Sequence, residues 1–276
     1  MQSTEQFIGA TQPHNGRPTW IWSTERAGRD EFSRGISDAI EHCVMRLAPR
    51  PGERILDLAT GTGWTSRAVA RHGASVIGVD TDPDLLHIAR TKAASAERLL
   101  IHYRAAEPDD LPFATGEFDA VVSTFGVMFT SDPETTAEEL ARVCRKGGRI
   151  ALTTWLPGST LSQVFEVMRR YMPPASTPEP QSPFDWGRPE RIHELLGHAF
   201  KLRFEKGVSF YREPSGEAAW NTFSRSHGPT RSLASSLDSR QRVALRREVT
   251  AFHAGFTTEL GICVPREYLL TVGLRV

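Results

Sequence analysis

The chain is short of everything that would staple a small secreted fold. Of 276 residues only three are cysteine, Cys43, Cys144 and Cys263, far apart and in no CxxC pair. That excludes a disulfide framework and a zinc-knuckle spacing, implies no resident metal, and fits a reducing cytoplasm. Excess charge is missing too: 33 Lys and Arg balance 33 Asp and Glu. No global field therefore gathers nucleic acid or an anionic membrane. No stretch approaches the roughly 18 uninterrupted apolar residues of a membrane span, and residues 1–7 are polar with no basic start, so neither export nor membrane insertion is expected.

What is present is ordinary for a globular protein: 39% hydrophobic and 24% charged residues. At about 150 residues per domain the length allows one enlarged domain or two small ones. Residues 1–30 mix Gly, Pro, Thr and two tryptophans without periodicity and read as an irregular arm. From Glu31 the positions Phe32, Ile36, Ile40, Val44 and Leu47 recur at helical spacing, until Pro49 and Pro51-Gly52 stop the helix.

A strict alternation then begins. Residues 54–59 form a short apolar run ending in a Gly-Thr-Gly turn, 64–72 a helix, 76–80 a second apolar run. Thr81-Asp82-Pro83 supplies a cap and a first-turn proline for a helix to about Ala96. Strands are expected over 99–103, 118–124 and 149–155, with a helix opened by Asp132-Pro133 and closed at Arg145-Lys146-Gly147-Gly148, Cys144 lying on its buried face. Strands alternating with helices of this length require right-handed crossovers and a parallel sheet covered on both faces. The fold class is therefore α/β, doubly wound.

Beyond Trp155 the rhythm breaks. Helices are expected over 161–172, from Arg188-Pro189-Glu190, and over 215–224 and 237–256; strand-like alternation covers 200–211, and 268–276 is a last strand. The prolines from Pro173 to Pro183 mark a lid hinge that orders on ligand binding. The expected organisation is one domain over 31–276, with helical cap insertions at about 157–198 and 213–262.

The turn after the first strand carries the chemistry. In Asp57-Leu58-Ala59-Thr60-Gly61-Thr62-Gly63 two glycines allow a sharp bend that exposes backbone amides beside a helix N-terminus. A plain tight turn would use the same glycines. Asp80, roughly twenty residues on at the end of the second strand, is placed for ribose hydroxyls, while Thr81 and Asp82 are available to cap the next helix. A dinucleotide site wants a third glycine where Ser66 stands, and Asp57 would repel a pyrophosphate; a carboxylate there suits an ammonium-bearing nucleoside without phosphate.

These residues resemble the class I S-adenosylmethionine-dependent methyltransferases. The likeness continues through Val76-Ile77-Gly78-Val79-Asp80, Leu111-Pro112-Phe113, Phe118-Asp119-Ala120-Val121-Val122-Ser123, and the run from Glu139 to Ile150, covering about half the chain. It looks nearest the branch with quinone-biosynthesis and other small-molecule enzymes. The resemblance implies a Rossmann-like sheet, mostly parallel with an antiparallel last strand. It also implies that Asp57, Ala59, Thr60, Gly61, Thr62 and Gly63 hold the methionine and ribose side of the cofactor, with Asp80 on the ribose hydroxyls and Thr81 beside the adenine. An acid expected before Leu111 is replaced by Ala105-Ala106-Glu107, leaving Glu107 or the amide near Ala106 for the adenine. Ser123 and Thr124 end the fourth strand, where ligands of open α/β sheets sit.

The implied activity is methyl transfer from S-adenosylmethionine to a small organic acceptor; a nicotinamide-dependent oxidoreductase and a cofactor-binding regulatory subunit are the alternatives. Phe125, Met128, Phe129 and Trp220 are expected acceptor walls, with hydrophobic packing as the competing explanation. His14, His227 and His253 are candidate bases, of which none is chosen. The Asn/Asp-Pro-Pro-aromatic motif of nucleic-acid amino methylation is absent. The basic runs 142–146 and 240–247 are interleaved with or flanked by Glu138, Glu139 and Glu248, reading as solvated helix faces.

Overall fold

The computed structural model describes residue 30 and residues 33–96, 99–172, 182–226 and 228–276. The arm over residues 1–29, most of the proline segment, His14 and His227 lie outside them. The first helix, α1 (Ser37–Leu47), starts later than the periodicity suggests, because a turn at Gly35-Ile36 interrupts it; it ends at Ala48 in the left-handed region.

Strands β1 (Arg54–Leu58), β2 (Ser75–Asp80), β3 (Ile101–Ala105), β4 (Phe118–Thr124) and β5 (Cys144–Trp155) pair in parallel in the order β3-β2-β1-β4-β5. Helices α2 (Trp64–Ala70), α3 (Pro83–Ala94) and α4 (Pro133–Val143) provide crossovers between them. Both longer crossovers start by one device. Asp82 accepts from the amides of Asp84 and Leu85, Asp132 from that of Thr135, and a proline fills the first helical position where no amide is needed. Every residue of β1 after Arg54 is buried, as a central parallel strand requires.

The helix ending at β5 is shorter than its sequence suggests. It stops at Val143, and Cys144, expected on a helix face, turns extended and begins β5; it is buried all the same.

On the far side of β5 the chain turns antiparallel. β8 (Gly261–Arg275) pairs with β5 and with β6 (Phe200–Glu213). Both exceed the expected lengths, β8 starting seven residues earlier than the alternation from Tyr268 suggests. Trp155, the last residue of β5, pairs with Tyr268, so β8 before that point pairs only with β6 and the short β7 (Thr257–Thr258). The two long strands thus overhang the carboxyl ends of the parallel strands as a ribbon.

Helices α5 (Thr160–Arg169) and α6 (Pro189–Leu196) connect β5 to β6, and α7 (Gly216–Ser226), α8 (Gly228–Ser236) and α9 (Ser239–Ala254) connect β6 to β7. Of these α8 has no counterpart in the sequence reading. His253 of α9, Phe223 of α7 and Tyr211 of β6 meet as rings 5.1–6.1 Å apart, docking the helices on the ribbon.

Candidate functional site

The loop after β1 is built from left-handed backbone. Ala59 (φ 55°), Gly61 (φ 56°) and Gly63 (φ 77°) all lie there, which only glycine adopts without cost. A Cβ on Gly61 would meet nothing within 4 Å, so the loop presents open space at that point; one on Gly63 would lie 2.3 Å from the Tyr103 hydroxyl. Hydrogen bonds fix the shape: Thr60 N donates to Val79 O at 2.8 Å, Gly63 N to Thr60 O at 2.9 Å, and Arg67 to Thr62 O at 2.8 Å.

Asp57 sits beneath this loop, 1% exposed. Its Oδ2 accepts the hydroxyls of Thr60 and Ser66, each at 2.6 Å, while Oδ1 has no partner among the described residues. Burial raises the carboxyl to a pKa of about 6, against the opposing effect of those hydroxyls. Ser66 thus serves the polar network from the position where a dinucleotide site has glycine. The strand beside it makes the room: a Cβ on Gly78 would come within 2.9 Å of Ser66 Oγ and 2.7 Å of the Tyr103 ring.

Asp80 reaches the loop from β2. Its Oδ2 accepts from Gly61 N at 2.9 Å and its Oδ1 from Asp82 N at 3.0 Å, while Asp82 alone caps α3. A carboxylate has about four lone-pair positions, so two such bonds leave room for more. Thr81 is exposed beside it. Ala106 N donates to Asp80 O at 3.3 Å, and the extra residues before Leu111 fold into a turn bridged between Glu107 and Asp110. Arg142, held by Glu139, donates to the carbonyls of Leu111 and Phe113, so the Leu-Pro-Phe segment is pinned by α4.

At the end of β4 two expectations need correction. Ser123 is 0% exposed, its hydroxyl donating to Leu58 O at 2.8 Å and accepting from Val127 N at 3.0 Å, so it ties β4 to β1 and has no hydrogen left for a cofactor. Thr124 remains half-buried at the strand end, joined to Thr65 of α2 at 2.5 Å, a partner the sequence reading did not name. Phe125, expected as an acceptor wall, is left-handed (φ 57°) and stacked on Trp155 with centroids 3.8 Å apart. Met128 and Trp220 are also buried in the core, and Phe129 packs partly buried against it, so packing accounts for this set.

Of the candidate bases only His253 is described. It is 1% exposed, its Nδ1 lies 2.8 Å from Val249 O, and burial lowers its pKa. Sequence reasoning missed Arg266, which lies in the same cluster 3.9 Å over the ring of Tyr211; its signal was a basic residue one alternation before Tyr268.

A family model described as a methyltransferase domain matches residues 56–152. An uncharacterized protein of Mycobacterium tuberculosis is 37% identical over 182 residues, 65% of this chain and 66% of that protein, just short of two thirds of its length. The demethylmenaquinone methyltransferase of Clavibacter sepedonicus is 42% identical over 106 residues, 38% of this chain and 42% of its own. Among solved structures, the YcgJ protein of Bacillus subtilis superposes with a TM-score of 0.59 at 17% identity, over 86% of this chain and 98% of that one, a likeness of fold. The matched segment, its parallel strands and its glycine loop agree with one another: residues 56–152 form a methyltransferase domain of the matched family.

Proposed function

We propose that the protein transfers the methyl group of S-adenosylmethionine to a small organic acceptor. Asp57 carries this reading: a buried carboxylate with one unpartnered oxygen, beneath a loop that leaves space open at Gly61. An ammonium group is what such an oxygen attracts. When bound, the cofactor supplies a methyl group already activated by the positive sulfur, so the protein needs chiefly to align an acceptor in line and exclude water.

In this reading Ala59, Thr60, Thr62 and Gly63 shape the loop around the methionine part. Asp80 adds ribose hydroxyls to the bonds it already makes, and Thr81, Ala106 and Glu107 edge the adenine. Ser123 acts only by holding β1 to β4, leaving Thr124 to face the ligand. The helices between β5 and β6 and between β6 and β8 form the cap over the acceptor, which makes residues 31–276 one domain. No helix among the described residues is long and apolar enough to cross a membrane, and the unpaired cysteines favour the cytoplasm. Polymer acceptors are disfavoured, because Arg142, Arg145, Arg170 and Arg246 are each engaged by a carboxylate.

Calorimetry with S-adenosylhomocysteine tests this. One site per chain is expected, lost in Asp80→Ala and in Gly61→Val; unaltered binding in both variants overturns the assignment. Release of S-adenosylhomocysteine across a panel of small acceptors then separates an enzyme from a cofactor-binding subunit.

A further inference from the structure

We infer that the acceptor is a small organic acid and that Arg266 of the ribbon receives its carboxylate. This rests on the methyl-transfer reading and names its substrate class. Arg266 is 3% exposed, and among the described residues its guanidinium makes no hydrogen bond and no ion pair. The other buried or half-buried arginines differ. Arg67 donates to Thr62 O, Arg142 to Leu111 O and Phe113 O, Arg149 to Leu47 O and Glu53, and Arg275 to Ala141 O and Ala199 O.

The acids near Arg266 act on it only through space. Glu213 Oε1 accepts the hydroxyls of Tyr211 at 3.0 Å and Thr222 at 2.7 Å, and Asp38 Oδ1 accepts from Ala39 N at 2.8 Å and Ser209 Oγ at 2.6 Å. A buried charge without a direct partner is costly, and removing it usually relieves the fold rather than harming it. A guanidinium kept in that condition is explained by a ligand that completes it.

What does touch Arg266 is aromatic. Its guanidinium carbon lies 3.9 Å from the ring centroid of Tyr211 and 5.4 Å from that of Phe223. Tyr211 is itself anchored through its hydroxyl to Glu213. Aromatic contact engages the cation by its face and leaves its N–H donors, which lie in the guanidinium plane, free to form the fork that matches a carboxylate. Burial lowers its pKa only to about 10, so the charge persists at neutral pH. His253, beside Tyr211, is held toward its neutral form and adds no competing cation.

Position supplies the second argument. Tyr268 packs edge-on against Phe125 at 5.8 Å, and Phe125 directly follows Thr124 at the carboxyl end of β4. Arg266 lies on the same strand face one pleat farther out, about 7 Å along β8. That sets it beyond the carboxyl edge of the sheet, where ligands of open α/β sheets bind. Lysine at this position would keep the charge but lose the planar fork.

Benzoate and its neutral analogue benzamide probe the inference, titrated by calorimetry into full-length protein loaded with S-adenosylhomocysteine. Wild type is expected to bind benzoate at least tenfold more tightly than benzamide. The preference should vanish in Arg266→Met and shrink in Arg266→Lys, with S-adenosylhomocysteine affinity unchanged and the melting temperature of Arg266→Met equal or higher. No preference in wild type, or a preference that survives in Arg266→Met, overturns the proposal, and the wild-type comparison stands even if a variant does not fold. Weakened S-adenosylhomocysteine binding in folded Arg266→Met also overturns it, by assigning the guanidinium to the cofactor's own carboxylate. If wild type binds no S-adenosylhomocysteine, the methyl-transfer reading itself fails; intact cofactor binding without benzoate preference sinks the acid acceptor alone.

Discussion

The parallel end of the sheet and the antiparallel ribbon treat buried polar groups in opposite ways. Under the glycine loop, Asp57 gathers two hydroxyls on one oxygen, Ser123 bonds at both ends of its hydroxyl, and backbone amides are tied to Val79, Thr60 and Asp80. In the ribbon a full guanidinium rests on two rings with no hydrogen bond among the described residues. The first arrangement is rigid and nearly complete, leaving one carboxylate oxygen and one patch of open space. The second leaves a whole charged group to be matched. That contrast suits a division in which one ligand is always the same molecule and the other is selected by a single strong contact.

The largest expected effect tests rigidity. In Gly63→Ala the new Cβ would lie 2.3 Å from the Tyr103 hydroxyl on a backbone at φ 77°. We expect S-adenosylhomocysteine affinity to drop at least a hundredfold and the melting temperature to fall. Adding Tyr103→Phe removes the colliding atom and should recover part of the melting temperature, leaving the left-handed cost of about 1–2 kcal/mol. Gly61→Ala, which meets open space, should show only that smaller cost in stability while still losing the ligand. Equal destabilisation by the two alanines would mean that close packing at Gly63 is not what distinguishes them.

Ser123→Ala comes next. Removing a buried hydroxyl that both donates and accepts should cost about 1–3 kcal/mol in chemical denaturation. Affinity for S-adenosylhomocysteine in the folded fraction should stay put. A loss of affinity exceeding the loss of stability would return Ser123 to direct contact with the cofactor.

The same contrast explains what could be read from residues alone. The bend of the loop and its two acids were legible because left-handed backbone demands glycine at 61 and 63, and carboxylates at 57 and 80 stand at fixed spacing from it. The bonds of Ser123 to Leu58 and Val127 were not legible, because a strand-end hydroxyl looks alike in sequence whether it faces a ligand or a carbonyl one strand away. The ribbon was legible only in part. The last strand was expected only from Tyr268, yet β8 runs from Gly261 through Pro265, because there it has a long strand on one side only and a missing amide is tolerated. Helix α8 was hidden by Gly228-Pro229, which reads as a turn but opens the helix. Cys144 followed a helical pattern whose end is set by one extended residue, beyond the resolution of periodicity.

A pH titration sharpens the account of Asp57. Burial raises its carboxyl to about 6 from the ordinary aspartate value of 3.8, so the folded protein holds this proton more tightly than the unfolded chain. The contribution of Asp57 to stability should therefore decline as pH rises from about 4 to 6 and level off above that. Attraction for an ammonium needs the ionised form and should grow through the same window. Wild type minus Asp57→Asn, measured by denaturation and by calorimetry with S-adenosylhomocysteine, should show the two trends with opposite sign. Parallel trends would mean that the carboxylate serves the fold and not the ligand.

The smallest effects belong to the surface arginines, and they bear on the acceptor. Arg145 pairs with Asp119 at 2.7 Å and Arg246 pairs with Glu217, all on partly exposed side chains. Such pairs contribute less than about 1 kcal/mol, so Arg145→Ala and Arg246→Ala should barely move the melting temperature. A nucleic-acid surface would instead show its lysines and arginines as binding energy with a steep salt dependence. Fluorescence anisotropy with labelled single- and double-stranded oligonucleotides at low salt should give weak binding that neither substitution alters. Tight binding lost in either variant would remove the reason for placing selectivity in Arg266, since the acceptor would then be read across the start of β5 and the outer face of α9 and not in the ribbon.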